Sequence, residues 1–233
     1  MTLGSVAPLP SEARCLTSHR HRTGERIDLG QGACVLVSGV GPERARRAAL
    51  ELVDSGAQAL VSFGCAGGLD PSIRVGEVLL PERVIDGGRV EVTTDATWRR
   101  ALASASGARE GGAMLESARV LKTPEQKAEA FRASGALAVD MESASVGRVA
   151  DEAGLPFLAL RSVCDNATMR VPRASLLAVD EHGRLRFGAL ARALVERPGE
   201  LVAIARLDLG FRAAQRALRS VSRRTGPRLG WER

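Results

Sequence analysis

Three short stretches place ligand-binding or acidic residues where an apolar run stops. Gly64-Cys65-Ala66-Gly67-Gly68 follows the apolar run 58–63. Glycines at a strand end let the backbone pass close to a ligand and offer its amide N–H groups; a tight turn fits the same residues. Asp140-Met141-Glu142 follows the run 136–139. A carboxylate there can accept two hydrogen bonds from vicinal hydroxyls, as a ribose presents them. Taken alone, an acid capping a helix that begins at Ser143 is the simpler reading. Asp165 follows the run 156–163. An acid desolvated at the end of an apolar strand holds its proton more tightly than one in water and can serve as a proton donor. An Asx turn with Asn166 is the alternative. The glycines match no dinucleotide fingerprint, since Arg44 stands where the third glycine after Gly39 and Gly41 belongs, and no Gly-Lys-Ser/Thr loop is present.

Such residues need strands that end at them. Residues 33–39 form a continuous apolar run, the pattern of a strand buried on both faces. Ala48, Ala49, Leu52 and Val53 then recur at helical spacing within 42–55, up to Gly56. Residues 58–63 predict a second buried strand, and 76–85 and 89–93 flank a hairpin-type turn at Asp86-Gly87-Gly88. A short helix over 98–106 and a strand over 113–121 follow. Thr123-Pro124-Glu125-Gln126 joins a cap, a proline at the first helical position and a capping-box glutamine, so a helix runs to about Ser134. A strand at 136–139, a helix of small residues at 143–153 and a last buried strand at 156–163 complete the body. Helices at 185–196 and 201–223 close the chain, with a frayed tail from Thr225. Alternating strands and helices predict one α/β domain with a central mixed sheet flanked by helices. It divides into a catalytic body, 1–200, and a basic amphipathic C-terminal helix and tail, 201–233.

Composition excludes several functions. The net charge of +6 resides in the tail, where residues 206–233 hold eight arginines and two acids, leaving a neutral body. Nucleic acid is therefore not the expected partner. Two Trp, five Phe and no Tyr are too few for a stacking platform for single strands. Cys15, Cys34, Cys65 and Cys164 form no CxxC, and His19, His21 and His182 add no metal-ligand spacing, so neither zinc nor a disulfide framework is expected. No apolar run approaches 18 residues and the N-terminus carries no secretory pattern, which points to a cytoplasmic enzyme. Thirty-one Arg against two Lys reads as genomic base composition.

In one order along the chain stand Ser62-Phe63-Gly64-Cys65-Ala66-Gly67-Gly68-Leu69, Gly76-Glu77-Val78, Val139-Asp140-Met141-Glu142-Ser143-Ala144 and Arg161-Ser162-Val163-Cys164-Asp165. This ordered set resembles the purine and uridine phosphorylase superfamily over about residues 5–195, near the 5′-methylthioadenosine/S-adenosylhomocysteine nucleosidases. The stretches 120–130 and 137–150, and Trp98 after Thr93-Thr94-Asp95-Ala96-Thr97, are more similar to the hopanoid-associated branch, which acts on adenosylhopane. The resemblance implies the nucleoside phosphorylase-like three-layer fold and cleavage of an N-glycosidic bond. It gives Asp165 the role of acid toward purine N7, Glu142 that of ribose ligand, Met141 a place against the sugar, and Gly64, Cys65, Ala66 and Gly67 the wall of the ribose and nucleophile site. Glu12 sits where nucleosidases carry a water-activating glutamate; a surface acid opening a helix fits it as well.

Two positions depart from the family pattern. Cys65 replaces a threonine that touches phosphate in phosphorylases, and Cys164 a serine beside the acid in nucleosidases. A thiol is a weak hydrogen-bond partner, so the first change favours water over phosphate as nucleophile. No cofactor is expected, with phosphate the alternative co-substrate and Arg14, Arg44, Arg74 and Arg161 its candidate ligands. The expected partner is a small nucleoside, in one reading lipid-linked, and the resemblance implies a homodimer. The stripe Ile204, Leu207, Phe211, Ala214, Leu218 and Val221, flanked by Arg212, Arg216, Arg219 and Arg223, supports two readings. It docks on the body, or it lies on an anionic membrane as a peripheral contact. A non-catalytic nucleoside-binding or membrane-associated scaffold is the alternative from another functional class.

Overall fold

The computed structural model describes residues 2–18, 22–87, 90–172 and 198–232. The strands are β1 (Thr2–Ala7), β2 (Arg26–Gly30), β3 (Ala33–Val37), β4 (Ala57–Gly68), β5 (Val78–Leu80), β6 (Arg83–Asp86), β7 (Val90–Thr93), β8 (Arg109–Glu110), β9 (Ala113–Glu116), β10 (Ala138–Asp140) and β11 (Phe157–Asp165). The helices are α1 (Pro10–Ala13), α2 (Pro42–Asp54), α3 (Ala96–Ser106), α4 (Pro124–Ser134), α5 (Ser143–Glu152) and α6 (Leu201–Thr225). The helix predicted at 185–196 lies outside the described residues.

The sheet is mixed and runs β2-β3-β1-β4-β10-β9-β6-β7, with β11 laid along β4 and carrying β5 and β8 beyond it. β1 is parallel to β3 and to the first half of β4. The last two residues of β4 turn to an antiparallel partner, Gly67 opposite Val139 and Gly68 opposite Ala138. On its other edge β4 is parallel to β11 from Leu60 opposite Phe157 to Gly67 opposite Asp165. This corrects the expectation of a glycine loop after residue 63: Gly64–Gly68 remains strand, because β11 pairs along one edge as far as Gly67 and β10 takes Gly67 and Gly68 on the other.

The strand predicted at 76–85 is divided at Pro81. Proline has no N–H to give a ladder, and the chain changes neighbours there. β5 pairs with β11 and β8, whereas β6 pairs with β9 and, antiparallel, with β7. α4 starts as its sequence predicts. The Gln126 N–H donates to Thr123 Oγ1 at 3.3 Å, the Gln126 side chain reaches back to the Thr123 N–H, and Gly135 ends the helix at φ 64°.

Alternation along the central strands fills two cores. Leu60 and Ala66 of β4 and Phe157, Ala159 and Val163 of β11 point to the layer of α2 and α5. Ala59, Val61 and Phe63, with Leu158 and Leu160, point the other way, onto Leu218 and Val221 of α6. The domain is thus a single α/β unit with helices on both faces of a mixed sheet.

The tail beyond Thr225 is not frayed. Leu229 and Trp231 are buried, the Trp98 indole N–H donates to the Leu229 carbonyl at 2.8 Å, and the rings of Trp98 and Trp231 lie 6.2 Å apart. Trp231 buries enough apolar area to hold its backbone. α6 comes closest to the sheet at Gly210, where an added Cβ would overlap the Cys164 carbonyl oxygen at the end of β11. Gly210→Ala is therefore expected to lower stability by roughly 1–3 kcal/mol through overpacking, read as a lower urea midpoint with an unchanged m-value.

Candidate active site

Arg161 is a charged residue in the middle of the apolar strand Phe157–Asp165, and it is fully buried. A buried guanidinium must be paired and hydrogen-bonded to be tolerated, and everything around it serves that need. Its Nε lies 2.8 Å from Asp140 Oδ2 and donates to Ser143 Oγ at 3.2 Å. Nη2 donates to Ser62 Oγ at 2.6 Å and lies 3.6 Å from Glu142 Oε2, and Nη1 reaches the Cys65 carbonyl at 3.4 Å. Burial works against this charge, but Asp140, Glu142 and Glu12 together outweigh it and hold the guanidinium protonated.

The strand ends sort the acids. Asp140, the last residue of β10, is structural: Oδ1 accepts from the N–H groups of Glu142 and Ser143, and Oδ2 bonds the Ser143 hydroxyl as well as Arg161. The capping role considered for the Asp140–Glu142 stretch thus falls to Asp140, which frees Glu142. Glu142 is buried, its Oε1 accepting the Gly41 N–H at 2.9 Å. Burial, opposed by Arg161 and reinforced by Asp140, pushes its carboxyl up to about 8. Met141 between them is half-buried.

Glu12 arrives from α1 and is not a surface acid, being 3 % exposed. Oε1 accepts the Cys65 N–H at 2.7 Å and Oε2 the Leu9 N–H at 2.9 Å. Burial raises its carboxyl above the usual range, with Arg161 pulling the other way. Gly64 makes this approach possible. An added Cβ would lie 2.7 Å from both Glu12 Oε1 and Arg161 Nη1, so any side chain at 64 would push Glu12 and Arg161 apart. The Cys65 thiol is pushed well above its ordinary value by burial and by Glu12, which leaves it no thiolate for nucleophilic chemistry.

Asp165 stands at the far end of the same stretch, opposite Gly67, whose added Cβ would lie 3.4 Å from both carboxylate oxygens. Oδ1 accepts from the Cys164 thiol at 3.2 Å, so the cysteine in the serine position does reach the acid. Oδ2 is met by a group the motifs do not single out, the Lys127 ammonium of α4. Lys127 is 1 % exposed and also donates to the Asn166 carbonyl at 2.7 Å. Asp165 is therefore in a buried ion pair, and not in the purely apolar surroundings its strand suggests. A signal existed: Lys127 shares a helical face with Ala130, Phe131 and Ser134, a face turned inward. Arg161 was one of four arginines named for an anion, and its interruption of a buried strand marks it among them. Arg14 and Arg74 are exposed, and Arg44 lies half-buried in the first turn of α2. Among the described residues no group of three His, Cys, Asp or Glu could hold a metal ion.

The family model of the phosphorylase superfamily matches residues 3–196. The chain belongs to this superfamily. No curated protein matches it in sequence. Among solved structures the superfamily member resembles the Helicobacter pylori 5′-methylthioadenosine/S-adenosylhomocysteine nucleosidase, at 18% identity and TM-score 0.67, over 96% of this chain and 98% of that one. The futalosine hydrolase of the same organism is alike at 18% identity and TM-score 0.67, over 96% and 97%. The Neisseria meningitidis 5′-methylthioadenosine/S-adenosylhomocysteine nucleosidase, in complex with methylthio-immucillin-A, aligns at 18% identity and TM-score 0.68, over 94% and 96%. At such identity these likenesses establish the shared fold.

The raised carboxyl of Glu142 has a consequence for stability. It titrates near 8 in the folded protein against an ordinary value of 4.5, so the folded state keeps a proton that the unfolded state releases. Its contribution to stability is present below pH 4.5 and is lost as the pH climbs toward 8. Glu142→Gln, which mimics the protonated form, is expected to flatten the fall in urea midpoint between pH 5 and pH 8; an unchanged slope would contradict this assignment.

Proposed function

We propose that this superfamily member cleaves the N-glycosidic bond of a 5′-substituted adenosine, with water as the nucleophile and adenine as the leaving group. The observation that carries the reading is the arrangement along β4. Glu12 binds at Gly64-Cys65 and Asp165 lies at Gly67. Two to three residues of extended chain separate them by roughly 7–10 Å. That is room for a sugar and a water between a base and an acid, comparable to the spacing of about 6.5–9.5 Å in inverting glycosidases.

Each group then has one task. Glu12, its carboxyl raised by burial, draws the proton from water aimed at C1′. Glu142 accepts the ribose hydroxyls, Met141 packs on the sugar, and Asp165 supplies N7 so that the base departs neutral. Loss of the C1′–N9 bond leaves an oxocarbenium-like sugar, which the carboxylates around it stabilise. Charge also selects the nucleophile. The charge of Arg161 is already taken up by Asp140 at 2.8 Å and shared with Glu142 and Glu12, so it offers a phosphate dianion little attraction. Water needs no such attraction.

Within that reading adenosylhopane is the leading substrate, on the similarity of stretches 120–130 and 137–150 to the hopanoid-associated branch. Methylthioadenosine or S-adenosylhomocysteine is the runner-up. The structure lends one observation: Leu201, Val202 and Leu209 of α6 are exposed beside Arg206, Arg212 and Arg216, a pairing suited to an anionic lipid surface. Because the second half of α6 is part of the core, that contact is tested by reversing Arg206, Arg212 and Arg216 to Glu. Sedimentation with phosphatidylglycerol vesicles should fall by tenfold or more; equal sedimentation would exclude the surface. A homodimer, proposed on the family resemblance, is checked by sedimentation velocity.

Adenine release from the three nucleosides, with and without phosphate, tests the activity. Asp165→Asn is expected to slow release about 10²–10⁴-fold, and Glu12→Gln to abolish the phosphate-independent reaction. Release that requires phosphate would establish phosphorolysis, unchanged rates in Asp165→Asn would remove the acid assignment, and no release from any nucleoside would favour a binding scaffold.

A further inference from the structure

Lys127 raises a difficulty for Asp165 as an acid: a carboxylate paired with an ammonium holds no proton to give. The geometry resolves it. The ammonium of Lys127 and the carboxylate of Asp165 share one hydrogen bond in a site where the lysine is 1 % and the aspartate 6 % exposed. Moving that proton across the bond converts ammonium and carboxylate into amine and carboxylic acid, at no change in net charge. In water the ionic form dominates, but burial penalises two charges and leaves two neutral groups nearly untouched. The two forms are thereby brought closer in energy.

We propose that Lys127 is the proton store of this site, acting through Asp165 as a positioning residue for glycosidic cleavage. The inference rests on the reading of Asp165 as the acid toward the purine. An N–H bond of Lys127 breaks as the O–H bond of Asp165 forms; that O–H breaks as N7–H forms, and the C1′–N9 electron pair leaves with the base. The products are neutral adenine, a neutral Lys127 amine and an Asp165 carboxylate facing the sugar cation. Water's proton passes to Glu12, which releases it to solvent while solvent returns one to Lys127, so the cycle closes.

Two further features fit a store better than a simple brace. Lys127 Nζ is fixed by a second acceptor, the Asn166 carbonyl at 2.7 Å, which keeps it in place when the charge on Asp165 changes. The residue type also fits. The chain uses arginine at 31 of its 33 basic positions and lysine at Lys122 and Lys127 alone. Of these only Lys127 is buried, and it is the one whose proton has a use. A guanidinium keeps its proton throughout the range in which proteins fold and cannot serve as a donor of this kind.

Adenine release from 5′-methylthioadenosine by the wild type, Lys127→Arg and Lys127→Met across pH 5–10 tests the proposal. Lys127→Arg keeps the positive charge beside Asp165 but cannot yield a proton. It is expected to lose kcat about 10²-fold or more with KM changed only a few-fold, whereas a brace would be rescued by arginine. In Lys127→Met the proton must reside on Asp165 alone, so the upper limb of the kcat profile is expected to move to lower pH by more than about one unit. The unmodified protein supplies a check independent of folding of the variants. With lysine labelled at 13Cε, two signals are present, and Lys122→Arg assigns them. The Lys127 signal should titrate with the midpoint of the upper kcat limb. A Lys127 that stays an ammonium while activity falls, or Lys127→Arg within a few-fold of wild type on an unchanged profile, overturns the proposal. If the wild type releases adenine and Asp165→Asn does not, that failure is the store's alone. A wild type that releases none overturns store and acid together.

Discussion

The guanidinium of Arg161, buried at the centre of a parallel strand pair, constrains the structure around it. Left unpaired in such surroundings, a charge costs several kcal/mol even after relaxation. Its partners therefore come from three elements: Ser62 and the Cys65 carbonyl from β4, Asp140 from the end of β10, and Glu142 and Ser143 from the start of α5. Asp140, Glu142 and Ser143 lie at a strand end and a helix start, where the backbone is free to turn a polar side chain inward, while Ser62 points inward from within β4. The same demand assembles the candidate site, because two of the acids around Arg161, Glu142 and Glu12, are those proposed to hold a ribose and activate water.

β4 is the spine on which this assembly is measured out. Its first half lies between β1 and β11, its last residues between β10 and β11, and its glycines keep a backbone without side chains between opposing acids. At Gly64 that lets Glu12 and Arg161 close on the strand, and at Gly67 it leaves space beside the Asp165 carboxylate. The acid end is supported from two sides. α4 brings Lys127 to Asp165, and α6 presses Gly210 against the carbonyl of Cys164, one residue before it. A C-terminal helix that carries most of the net charge thereby also buttresses the strand that holds the acid, its apolar side turned to the core and its arginines largely to solvent.

Much of the fold was legible in the sequence, for physical reasons that vary from element to element. Helix α4 is specified by its own ends, since Thr123, Pro124, Gln126 and Gly135 act over one turn. β3 and β11 were legible because strands buried on both faces must be apolar throughout. The strand predicted across Pro81 failed because a run of apolar residues does not say which neighbour each half will pair with. Gly64–Gly68 read as a loop because glycine is read for its freedom, whereas here it answers a demand for space. The tail from Thr225 read as frayed because the value of Leu229 and Trp231 lies in Trp98, more than a hundred residues away.

What the sequence by itself determined is the set of chemical groups and their order: glycines, then a pair of acids before a helix, then an acid at the end of a strand, and a body without net charge. Local spacing carries that much, because strand and helix periods act over a few residues. Only the tertiary structure decided which acid caps a helix and which is free, that one arginine of four sits among the carboxylates, and that Asp165 is paired with Lys127. Those outcomes depend on burial and on charges brought together from distant segments. Neither the cost of desolvation nor the partner that offsets it is written in the residues on either side.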